Sequence, residues 1–213
     1  IPIHFIFICE NDGHHVGFTN DIPGLITNVN HIYRQAGMSF TQASVAYTNN
    51  QEWYRHSDSN HIQRAIVDSR TGTEGLEVYI VSRLEPDVAG TTYPYKGILM
   101  VGTGSVRTLA HEIGHQCGWE DIYTAVSNQP PLTMPLSKSH LSPADWNNGP
   151  GPQEYYPRGL PLSTVIERCL MFGYTSGGYD LPMDRVKGYK MGGIFCPVRV
   201  GVRWMNRTPA HNR

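Results

Sequence analysis

The stretch His111-Glu-Ile-Gly-His115-Gln-Cys-Gly118-Trp-Glu-Asp121 decides how the rest of the chain reads. Upstream of it, Val106, Leu109, Ala110 and Ile113 fall at helical spacing, and Ser105 is placed to cap a helix that begins there. On that helix His111 and His115 lie one above the other on one face. Two imidazoles so placed can share one Zn²⁺, each at about 2.0–2.1 Å. Glu112 flanks the first histidine, where a carboxylate can take a proton from an attacking water and pass it on. Gly118 lacks a Cβ and can adopt the left-handed conformation that ends a helix. The turn would bring Asp121 back as a third ligand and leave a fourth position open for water.

The pattern HExxHxxGxxD is far more specific than its first half. In a chain of this composition HExxH arises by chance at about the 2% level, and adding Gly118 and Asp121 lowers that to roughly one in ten thousand. The competing reading is a core or surface helix that carries two histidines for no chemical reason.

This motif resembles that of the metzincin clan of zinc endopeptidases. Most of the clan has histidine as third ligand; Asp121 followed by a spacer and Tyr123 looks more like the snapalysin-type branch. The clan also carries a methionine in a tight turn beneath the metal. Cys169-Leu170-Met171-Phe172-Gly173-Tyr174 resembles that Met-turn, with Met171 as the methionine. Where some members have a metal-binding tyrosine two residues after it, this chain has Gly173, and Tyr174 comes one later. The two motifs cover about 20 residues.

The resemblance implies an α+β catalytic domain of two lobes. The upper lobe, about residues 1–118, would hold a twisted mixed sheet with helices above the cleft. The lower lobe, about 119–213, would be irregular, with the Met-turn and a C-terminal helix. It implies one catalytic zinc held by His111, His115 and Asp121, with Gly118 and Met171 supporting the site. It also implies an edge strand beside the cleft that pairs with extended substrate, for which Gly97–Val101 is the candidate. Tyr123 and Tyr174 are candidates to contact the oxyanion or the substrate.

At 213 residues the chain fits one domain, with a core of useful size. Its net charge of −1 shows no basic stripe, which argues against nucleic acid as a partner. No apolar run has transmembrane length. The start, Ile1-Pro-Ile-His-Phe-Ile-Phe-Ile-Cys9, reads as a strand and not as a signal peptide. The expectation is a mature secreted chain, monomer favoured, from which any signal or pro-segment is gone. Four cysteines, Cys9, Cys117, Cys169 and Cys196, allow two disulfides or four buried thiols, and Cys169–Cys196 is the favoured pair.

Elsewhere the periodicity is plainer. Residues 3–9 form an apolar, β-branched and aromatic run, a central strand. Residues 23–36 make a helix with Leu25, Ile26, Val29, Ile32, Tyr33 and Ala36 on one face, Pro23 at its start and Gly37 at its stop. Strands are expected at 39–48 and 76–84, and a short helix at 61–70 with Ile62, Ala65 and Ile66 inward. Residues 49–60 and 85–95 read as polar or Pro/Gly loops. His14, His15, His56 and His61 read as solvated side chains. A long Pro-, Gly- and Ser-rich region, 124–162, would flank the specificity pocket, with Trp146, Tyr155 and Tyr156 as candidate lining. Glu154 and Glu167 are third-ligand candidates only in a different zincin arrangement. A short helix at 181–191 and a strand at 196–205 complete the expectation.

Three functions fit these residues. A secreted zinc endopeptidase is the first, acting on protein or glycoprotein. A protease of the same chemistry directed at glycosylated peptide is the second, since aromatic residues from Trp146 to Tyr156 suit sugar stacking. A non-catalytic binding module on a protease scaffold is the third, and the complete Glu112 and ligand set argues against it.

Overall fold

The computed structural model describes residues 1–18, 21–34, 37–71, 74–86, 88–94, 96–117 and 170, and the backbone of short strands at 183–184, 189–190, 197–200 and 203–206. Among these residues the fold is α+β: a five-stranded mixed sheet with four helices.

Strand β1 (Pro2–Cys9) lies inside the sheet because both of its faces are apolar. Ile3, Phe5, Phe7 and Cys9 join one core, and Ile6 and Ile8 join a second core on the opposite face. Helix α1 (Ile22–Tyr33) follows, capped by the Asp21 carboxylate on the Gly24 amide at 2.8 Å. Its stripe Leu25, Ile26, Val29, Ile32 and Tyr33 is buried in the first core. Gly37, beyond the helix, has a φ of 65°, a conformation that favours glycine. Strand β2 (Thr41–Asn49) then pairs parallel with β1 and forms one edge.

Residues 49–60 were expected to be a loop, and instead contain helix α2 (Gln51–His56). Asn50 caps it, its side chain accepting from the Trp53 amide at 3.0 Å, and Trp53 and Tyr54 pack on the second core. Helix α3 (Asn60–Asp68) sends Ile62, Gln63, Ile66 and Val67 inward, while Ala65 is only half-buried. His56 and His61 are exposed, as expected. Strand β3 (Leu76–Val81) is wholly buried and pairs parallel with β1.

The next stretch corrects two expectations. The loop at 85–95 contains strand β4 (Gly90–Tyr93), and β5 (Gly97–Val101) pairs parallel with β3 on one side and antiparallel with β4 on the other. The sheet order is β2-β1-β3-β5-β4. Gly97–Val101 is therefore an interior strand, not the edge, which is Gly90–Tyr93. The physical reason lies in the side chains: Ile98, Leu99 and Met100 are all fully buried, and they divide between the two cores.

Helix α4 (Val106–Gln116) returns over the same face as α1. Ser105 caps it in a reciprocal box with Thr108, contributing about 1 kcal/mol. The Tyr33 hydroxyl donates to the Ala110 carbonyl at 2.7 Å and ties α1 to α4.

Near the C-terminus the expected helix at 181–191 is replaced by an antiparallel pair, β6 (Met183–Asp184) with β7 (Tyr189–Lys190). Pro182 and Gly188 both disfavour a helix there. The expected strand at 196–205 is two strands, β8 (Pro197–Val200) and β9 (Arg203–Asn206), paired antiparallel. The described segments after Leu170 are strands; the remainder of the expected lower lobe lies outside the described residues.

Cys9 is a buried free thiol and Cys117 is disulfide-bonded. Cys169 and Cys196, the favoured pair, lie outside the described residues.

Candidate metal centre

The helix α4 carries three of the expected site residues on one buried patch. His111 and Glu112 are buried and His115 is half-buried. The Nε2 atoms of His111 and His115 lie 3.1 Å apart, with the rings edge-to-face at 89°. Two nitrogens on one tetrahedral zinc would stand about 3.3 Å apart. The separation of the two nitrogens is thus close to that of two ligands on one ion.

The other nitrogen of His111 decides its tautomer. Nδ1 lies 2.9 Å from the Leu170 carbonyl oxygen, which can only accept, so Nδ1 carries the proton. With Nδ1 turned to that carbonyl, Nε2 of His111 is the nitrogen that faces His115. A metal-ligating histidine is commonly oriented by a carbonyl in this way. The same Leu170 carbonyl accepts from the Arg107 guanidinium at 3.1 Å, and the Leu170 side chain is fully buried in the first core. The residue before Met171 is therefore anchored under α4. Met171 itself lies outside the described residues, as do Gly118, Asp121, Tyr123 and Tyr174.

Glu112 is held from strand β4. The Thr92 hydroxyl lies 2.8 Å from Glu112 Oε2 and 2.9 Å from the Glu112 main-chain oxygen. A Cβ at Gly90 would stand 2.9 Å from Glu112 Cγ, 3.2 Å from its Oε1 and 2.8 Å from Thr108 Cγ2. Only glycine leaves room for the carboxylate between the strand and the helix. One turn further on, Gln116 donates from Nε2 to the Tyr93 and Gly97 carbonyls, each at 3.0 Å, bridging the two arms of the β4–β5 hairpin. Burial first, and the Glu112 charge second, hold the Tyr33 phenol well above its ordinary value of 10, so it stays a donor to the α4 backbone.

Among the described residues no group of three metal-ligating side chains comes together. The third ligand expected from the sequence, Asp121, lies outside them, as do Glu154 and Glu167. The two histidines fit zinc on the chemistry of the donors and on the orientation of His111. Trp146, Tyr155 and Tyr156 also lie outside the described residues. His14 packs against Tyr54, and His15 against Phe7 and Tyr47; in the described structure neither approaches the site.

Sequence reasoning did not find three contributors to this site. Leu170 acts through its carbonyl, for which side-chain identity carries no signal. Thr92 and Gly90 lie in the stretch read as a loop; the run Gly90-Thr-Thr-Tyr93, β-branched and aromatic, was the available signal.

No protein-family model matches the chain, and no curated protein matches it. Among solved structures, one described as "Structure of a chaperone-substrate complex" is similar at 12% identity and a TM-score of 0.32, the match covering 60% of this chain and 24% of that one. The chain spans about a quarter of the length of that structure, and a likeness this distant carries no argument. Among the described residues no helix is long and apolar enough to cross a membrane.

Proposed function

We propose that this chain is a zinc-dependent endopeptidase of metzincin type. The observation that carries the reading is the convergence of His111 and His115 Nε2 at 3.1 Å, with Glu112 buried beside them on the same helix. His111 and His115 hold the metal, with Asp121 as third ligand on the sequence motif. Zinc, when bound there, supplies a Lewis acid that polarises the scissile carbonyl and acidifies a water. Glu112 takes the proton as water attacks and delivers it to the leaving amine. The Leu170 carbonyl keeps the His111 ring in the tautomer that offers Nε2.

Strand β4 supports a place for the substrate. Ala89 accepts from the Val101 amide at 3.1 Å, which sets the alternation of the antiparallel ladder. By that alternation Gly90 and Thr92 direct their backbone groups away from β5. An extended peptide can add there as a further strand, beside the residue that touches Glu112. The disulfide at Cys117 supports an oxidising, extracellular setting for the enzyme.

Casein cleavage and zinc content, measured together for wild type and Glu112→Ala, test the reading. About one zinc per chain in both, with cleavage lost only in the variant, is the expected result. Equal cleavage by the two proteins would refute it.

A further inference from the structure

We infer that Thr92 is a positioning residue for Glu112, and that it couples the peptide-binding edge of the sheet to the catalytic carboxylate. The inference rests on the endopeptidase reading and adds a component which that reading does not require.

Thr92 has two roles in one residue. Its backbone belongs to the outward-facing set of the edge strand, while its hydroxyl reaches Glu112 Oε2 at 2.8 Å and the Glu112 carbonyl at 2.9 Å. A threonine hydroxyl has one proton, and a carboxylate is the stronger acceptor of the two. The bond to Oε2 fixes the carboxyl group's rotation about its last torsion, which is otherwise broad. The main-chain oxygen of Glu112, at 2.9 Å, is a second acceptor for the same proton, so either bond keeps the hydroxyl against α4. On the other side, Glu112 Cγ and Oε1 occupy space that a side chain at Gly90 would crowd. Two alternate residues of one edge strand thus set where the carboxylate stands.

The consequence is a shared register. A peptide that pairs with the backbone of Thr92 is placed relative to the same residue that holds the base. The distance from scissile bond to carboxylate is then set within one residue and not across a flexible loop. Near-attack placement of this kind acts on the chemical step and not on ground-state binding.

The test uses the full chain with Thr92→Val, which keeps shape and backbone but removes the hydroxyl, and Thr92→Ser, which keeps the hydroxyl. The expected result for Thr92→Val is a kcat lower by about 10- to 100-fold, the worth of a hydrogen bond to a charged group, with KM and zinc content unchanged. Thr92→Ser is expected to restore kcat to within a few fold. A Thr92→Val enzyme with wild-type kcat, or a loss seen only in KM, would overturn the inference, as would a serine variant no better than valine.

A second readout needs no turnover. Thr92→Val and Glu112→Gln, singly and together, form a double-mutant cycle in urea unfolding of the metal-free protein. Non-additive shifts of the midpoint are expected, since the two side chains share one bond. Additive shifts would overturn the contact. If wild-type protein loaded with zinc cleaves no peptide, the endopeptidase reading fails, and the cycle still decides whether Thr92 holds Glu112.

Discussion

Glu112 and Glu77 are both buried carboxylates, on opposite faces of one sheet, and they are held in different ways. Glu77, on β3, is 1% exposed and surrounded by local partners. Tyr79 donates to its Oε2 at 2.5 Å, the Thr71 hydroxyl and amide donate to Oε1 at 2.6 and 3.2 Å, and Arg70 stands 3.7 Å away. These partners come from within seven residues of it in sequence, and together they fasten residues 70–71 to the sheet. Glu112 is 6% exposed, is flanked in sequence by one of two neighbouring imidazoles, and accepts a hydrogen bond from a neutral hydroxyl on a different element. A buried carboxylate with a cation and several donors serves the fold. One that is placed by a distant strand beside two metal-ligand candidates is, on the proposed reading, held for chemistry.

The sharpest way to break this contrast is to exchange the costs. Glu112→Ala is expected to lower peptide cleavage by at least about 10²–10⁴-fold, the usual worth of a general base. Its folding stability should stay within about 1 kcal/mol of wild type, because Thr92 keeps the residue-112 carbonyl as an acceptor. Urea unfolding and a peptide assay on the same preparation check both halves. Glu77→Ala should do the reverse. Removing the carboxylate takes away the acceptor shared by Tyr79 and Thr71 and the charge beside Arg70, at a cost of about 3 kcal/mol, while kcat of the folded fraction is unchanged. A Glu77→Ala protein of wild-type stability would remove the distinction.

The same comparison has a pH signature. Burial, and then the bond to Glu77, push the Tyr79 phenol far above its ordinary value of 10. The unfolded chain ionises this group near the ordinary value, and the folded chain keeps it neutral. Stability from neutral Tyr79 is therefore fully present below about pH 10 and is lost as pH rises above it. Unfolding midpoints should fall in that window, and less steeply in Tyr79→Phe. An equal fall in the variant would place the cause elsewhere, with Tyr33 the next candidate, since it is shifted in the same direction.

The smallest effect concerns the N-terminus of the histidine helix. Ser105→Ala removes the acceptor for the Thr108 amide and should lower stability by about 1 kcal/mol without altering zinc content. Loss of zinc in this variant would show that the first turn, and not only the Leu170 carbonyl, positions the ligands.

Much of the sheet and its helices was legible because it obeys simple periods. The β1 run and the α1 stripe declared themselves by burial on both faces and on one face respectively. The α4 cap was legible because serine at that position has few other uses. The hidden elements were short or polar. Gly90–Tyr93 makes a strand only because β5 offers it a partner, and Gln51–His56 makes a helix only because Asn50 caps it and two aromatics find the second core. The interior place of β5 follows its own composition, since Ile98, Leu99 and Met100 leave no polar face to solvent. On α4, spacing alone was enough to expect His111 and His115 on one face of a helix with Glu112 next to them. Leu170 and Thr92 were not, because a carbonyl and a hydroxyl gain their meaning only from what the fold brings near them.

The central claim is that His111 and His115 share one zinc ion. Zinc bound per chain, measured after equilibrium dialysis for wild type, His111→Ala and His115→Ala, tests it most directly. The account predicts about one zinc per wild-type chain and loss of tight binding in each variant, with the fold retained by circular dichroism. Zinc retained at wild-type affinity in either folded variant, or none bound by wild type, would contradict it.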